Sequence, residues 1–164
     1  MASLLDSQLL AIEYSRRFAS AMLEAIPLEQ YCHQPFDGAN HALWTTGHLA
    51  AADCFFMSLI GGPADARFEQ LKDKFFIGSK PAGELSAYPP VEEVRRWFEE
   101  ARANLTAYYR SMSEEELAAP MPEQWARIAA NRGSLIARIA VHESAHAGQL
   151  TVVRKSLGLA PVFA

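Results

Sequence analysis

Apolar residues recur at three- and four-residue intervals over four long stretches of this chain, and nowhere do they alternate as a strand requires. The first stretch runs from Ser3 to about Ile26. Leu5, Leu9, Ile12, Ala19, Met22, Leu23 and Ile26 draw one stripe there, with charges between them. Ser3 and Asp6 resemble a capping box at its start, and Pro27 stops it. A connector follows, with Pro35 and Asp37-Gly38 as turn signals. The second stretch spans Asn40 to Ile60, with Asn40 as the expected N-cap and Gly61-Gly62-Pro63 as the stop. Trp44, His48, Ala51, Ala52, Phe55 and Leu59 share its inner face. Asp65 to Phe76 predicts a short helix, broken by the run from Gly78 to Gly83. Pro89-Pro90 introduces the third long helix, Val91 to about Met112, with Val94, Trp97, Phe98, Ala101, Leu105 and Tyr108 inward. Its charges, Arg102 among them, read as a solvated face. Ser113 with Glu116 is a capping box for a short turn ending near Pro120. The fourth stretch, Gly133 to Leu157, contains no proline and stops at Gly158.

Four long amphipathic segments predict an all-α chain, a four-helix bundle forming a single domain over residues 1–164. The connection between its second and third long helices is unusually long and is expected to cover a pocket. Composition adds mainly exclusions. The formal charge is -4, and no basic stretch suggests a nucleic-acid groove. No apolar run reaches the roughly 18–20 residues of a membrane span. The N-terminal stretch carries Asp6 where a signal peptide would carry positive charge. Cys32 and Cys54 form no CxxC pair, which fits a reducing cytoplasm, and Cys54 reads as a small core residue.

Histidine placement supplies the candidate chemistry. His142 and His146 lie four apart in the fourth helix, so their side chains share a face with roughly 5–6 Å between Cβ atoms. A helical His pair with Glu after the first His is a zinc-hydrolase pattern. A zincin takes its third ligand from beyond the second His, and here no His, Asp, Glu or Cys follows His146. The third ligand must then lie upstream. His48 is the candidate, since it sits in the middle of an apolar stripe. His41, about 10 Å further along that helix, is too distant to share the ion and reads as a surface or pocket-mouth residue. His33 is given no role. Glu143 can be a general base on a metal-bound water, or a solvated or ring-orienting carboxylate. Gln149, on the His146 face, can hydrogen-bond a ligand or the substrate. Asp53 reads as a helix-surface or interhelical partner. Arg138, one turn before His142, can hold an anionic group or simply face solvent. Imidazole donors suit zinc, nickel, iron and copper.

The segment Trp44-Thr45-Thr46-Gly47-His48-Leu49-Ala50-Ala51-Ala52-Asp53, with His142-Glu143-Ser144-Ala145-His146-Ala147-Gly148-Gln149-Leu150 far downstream, resembles the DinB-like (YfiT-like) superfamily. That resemblance covers most of the chain. It implies an up-down-down-up four-helix bundle in which His48, His142 and His146 hold a divalent metal, often zinc or nickel. It also implies a homodimer. Related enzymes include transferases and isomerases that use low-molecular-weight thiols. The function expected is therefore thiol-dependent S-transferase-like chemistry on a small molecule. Metal-dependent hydrolysis with Glu143 as base, and a non-catalytic metal-binding bundle, are the alternatives.

Overall fold

The computed structural model describes residues 3–162. Six α-helices account for most of them: α1 (Leu4–Glu24), α2 (Ala42–Leu59), α3 (Arg67–Phe75), α4 (Val91–Ser111), α5 (Glu114–Ala118) and α6 (Leu135–Ser156). No strand occurs among the described residues, only an isolated antiparallel bridge between Pro120 and Asn131. No helix there is long and apolar enough to cross a membrane.

Local chemistry sets most helix ends. The Ser3 side chain accepts from the Asp6 amide while Asp6 accepts from the Ser3 amide, closing the capping box on α1. Ser113 and Glu116 do the same for α5. The expected cap of α2 is displaced by one residue. His41, not Asn40, is the N-cap, its Nδ1 accepting from the Trp44 amide at 3.1 Å. The Asn40 amide group instead donates to Gln149 Oε1.

The four long helices associate mainly as two pairs, α1 on α6 and α2 on α4, while α3 rests on α2. Within each pair the chains run in the same sense. Ser15 meets Glu143 and Met22 meets Arg154 across the first. Asp53 meets Arg102 and Gly61 meets Tyr108 across the second. Helices α2 and α6 touch each other over only a short stretch. Helix α2 is covered on nearly every side, and of its residues only Phe55 and Ser58 escape full burial. The inward stripe read from its sequence is thus too narrow, because α3, α4 and α6 all lean on it.

The apolar interior divides into two clusters. One gathers Met22, Leu23, Leu43, Leu49, Phe98 and Leu150 with their neighbours. The other gathers Leu9, Ile12, Phe56, Leu105, Tyr109 and Ile136. Between these two levels, in every long helix, lie polar side chains: Arg16 in α1, His48 and Asp53 in α2, Arg102 in α4, His142 and Glu143 in α6.

Cys54 is buried, as expected of a small core residue, and so is Cys32. Burial pushes their thiols up to about 12 and about 11.

Candidate metal centre

Helical spacing makes half of the site. His142 and His146, one turn apart on α6, bring their ring centroids to 4.7 Å. His48 arrives from α2 and completes the group: its centroid lies 5.2 Å from His142 and 4.7 Å from His146. The nearest ligand-capable nitrogens of the three residues all lie within 4.8 Å of one another.

The partners of the other ring nitrogens orient these imidazoles. His48 Nδ1 sits 2.8 Å from the Phe75 carbonyl oxygen, which can only accept, so Nδ1 carries the hydrogen and Nε2 keeps its lone pair. His146 Nδ1 lies 3.0 Å from Gln149 Oε1, which already accepts from Asn40. The same argument frees His146 Nε2. Gln149 thus orients the His146 ring and sets its tautomer. His48 Nε2 and His142 Nε2 are 3.1 Å apart. Two nitrogens on one zinc ion at about 2.0–2.1 Å, near tetrahedral angles, are separated by roughly 3.3 Å. The donor set fits a divalent ion that takes imidazole ligands. Trp44 stacks on the His48 ring at 4.6 Å and is itself tied to Ser79 through its indole N–H. Phe56 meets His142 edge-on.

Gly47 explains how α3 comes close enough to supply the Phe75 carbonyl. A Cβ at position 47 would lie 2.4 Å from the Phe75 ring. Gly47→Ala must therefore displace Phe75, and we expect a loss of about 1–3 kcal/mol of stability, read from chemical denaturation midpoints.

Burial is the main reason all three imidazoles resist protonation. The His48 value is lowered to about 4, helped by the neighbouring His146. The His142 value falls to about 3, with His146 and His48 adding to burial. That of His146 is lowered by burial and partly restored by Gln149. Neutral imidazoles are the metal-binding form. The sign for stability follows. Unfolded histidines take up protons below about pH 6.5, whereas the folded His48 and His142 do so only near about 4 and about 3. Metal-free protein should lose stability as the pH falls from about 6.5 toward 4. His142→Ala should flatten that slope, measured as urea midpoints across the range.

Glu143 does not join the imidazoles. Its side chain is fully enclosed among the helices. Oε2 accepts from Ser15 at 2.9 Å and from Arg102 Nη1 at 2.6 Å. Oε1 makes an ion contact with Arg16 Nε at 2.8 Å, the N–H not being aimed at the oxygen. Asp53 faces the same guanidinium groups, bonding Arg16 at 2.7 Å and Arg102 through both carboxylate oxygens. One charge from each long helix thus forms a buried quartet of two arginines and two carboxylates. Burial opposes the charge on Arg102, but Asp53 and Glu143 outweigh it and hold its pKa above the usual value. The expected general-base role of Glu143 therefore meets a physical obstacle. A carboxylate held between two guanidinium groups and sealed from solvent is not placed to take a proton from a ligand at the imidazoles.

Other expectations need similar correction. Arg102 is buried rather than part of a solvated face. Its position between Phe98 and Leu105, at helical spacing on the apolar stripe, carried that signal. Arg16 between Ile12 and Ala19 did the same. His41 is fully buried, not a surface or mouth residue, and its Nε2 lies 2.9 Å from the Ala82 carbonyl oxygen. Asp53 is the interhelical partner that the sequence allowed. Arg138 is exposed on α6. His33 bonds Ser156 and takes no part in the centre.

The sequence model of the DinB superfamily matches residues 11–150, most of the chain, and includes all three histidines. The chain belongs to the DinB superfamily. No curated protein matches it.

Proposed function

From membership of the DinB superfamily and the three-histidine group, we propose that this protein is a divalent-metal-dependent enzyme acting on a small molecule by thiol-dependent S-transferase-like chemistry. The observation that carries the proposal is the convergence of three neutral imidazoles from two helices, with His142 and His146 only partly buried. Three protein ligands leave room for an exogenous one, and partial exposure gives it access. A divalent ion, zinc or nickel, supplies Lewis acidity there and favours the thiolate form of a low-molecular-weight thiol at neutral pH. The chain's own part is to hold and orient the donors. The Phe75 carbonyl fixes the His48 tautomer, Gln149 fixes that of His146, and the Trp44 and Phe56 rings shield two of the imidazoles from water. Transfer is favoured over hydrolysis run by Glu143, because that carboxylate is committed to Arg16 and Arg102.

The same reading carries the four-helix bundle with α3 inside the long second connection, a cytoplasmic setting, and a homodimer. Leu10 and Tyr14 on α1, with Val141 and Val152 on α6, are exposed apolar residues on two neighbouring helices and support the last of these.

The test is direct. Protein purified without added metal is assayed for bound metal, then incubated with small thiols and a chlorinated or epoxide electrophile. Metal-dependent formation of the thioether, with release of chloride or opening of the epoxide, is expected. Stoichiometric metal without conjugation for any common thiol would overturn transfer while leaving the centre intact.

A further inference from the structure

Beyond the three imidazoles, α2 continues into a group of aromatic rings that the metal-binding role does not require. Phe55 lies seven residues after His48, two turns along the same face. Phe76 approaches the His48 ring at 6.4 Å and Phe55 at 5.3 Å. Trp125, from the loop before α6, meets Phe55 edge-on at 5.1 Å. Phe68 closes against Phe76 at 5.2 Å. Phe55, Phe68, Phe76 and Trp125 all remain partly exposed, unlike the core residues around them. Adjacent aromatic faces that stay wet beside a ligand-binding group are suited to a flat apolar molecule.

An exposed positive charge lies near the same imidazoles. Arg138 lies one turn before His142, on the same side of α6 and about 6 Å along its axis. It is exposed, no carboxylate among the described residues comes within ion-pair distance of it, and its charge is felt at the His142 ring. The open guanidinium offers a planar fork to a carboxylate or phosphate.

We infer, resting on the metal-dependent reading above, that the site takes a small molecule with a flat apolar body and an anionic end. The body lies along Phe55, Phe76 and Trp125, and the anion meets Arg138. These residues determine specificity and take no part in bond making.

Calorimetric titration of the zinc-loaded protein with three thiols tests this. Benzyl mercaptan should bind about tenfold more tightly than 2-mercaptoethanol, reflecting burial of its ring. The compound 4-(mercaptomethyl)benzoate should bind several-fold more tightly again. Arg138→Gln should remove only the carboxylate gain, and Trp125→Leu should shrink only the ring gain. Three thiols binding within twofold of one another would overturn the inference and leave metal and thiol binding standing. Failure to bind zinc would overturn the metal-dependent reading alone. A preference of the metal-free protein for phenylacetate over acetate then decides the aromatic site, an equal affinity for the two sinking it.

Discussion

His142→Ala should abolish stoichiometric metal binding while leaving the helical content intact. His142 contributes one of three nitrogens, and its Nε2 lies 3.1 Å from that of His48, which makes it the link between the α2 and α6 halves of the group. Loss of an outer group around a metal typically costs about 10–100-fold in affinity, and loss of a ligand costs more. We therefore expect more than about a hundredfold weakening, measured by competition with a chelator of known affinity. The fold should tolerate the change, because the ring is only partly buried and packs edge-on to Phe56. Circular dichroism separates the outcomes. A folded variant that keeps its metal would remove the basis for the centre.

Arg102→Met should be the most destabilising single change in the interior. Arg102 bonds Asp53 twice, Glu143 at 2.6 Å and the Ile12 carbonyl at 3.0 Å. Without it, two buried carboxylates share Arg16 alone. Removing one partner of a buried ion pair costs about 3–5 kcal/mol, since the remaining charge cannot return to water. For a chain of this size that is on the order of 10 °C in Tm. Glu143→Gln should act in the same direction with a smaller effect, since the shape is kept and one charge is lost. If Glu143→Gln instead left stability unchanged and removed a hydrolytic activity, the base role set aside above would return. Urea denaturation of the two variants beside wild type decides it.

Much of this was legible in the chain because its information is local. The stripes of α1 and α4 follow the helical period, and the boxes at Ser3 and Ser113 need only residues three apart. The pair His142 and His146 declares itself by spacing, and His48 by being polar on an apolar stripe. Less local features were harder to see. An imidazole is an uncommon helix cap, so His41 passed for a surface residue. Arg16 and Arg102 occupy stripe positions, yet a charged side chain is read outward unless its partner is known, and their partners lie on other helices. The fixing of His48 by the Phe75 carbonyl depends on α3 pressing against Gly47, a contact that no spacing announces.

The quartet of charges also limits how this protein can change over time. Its two positive and two negative members cancel as a set, and each is drawn from a different long helix. Any lone replacement strands a neighbour in a dry interior. Removal of all four at once strands none and can even raise stability. Substitution in this layer is therefore expected to arrive in matched groups across distant codons rather than one at a time.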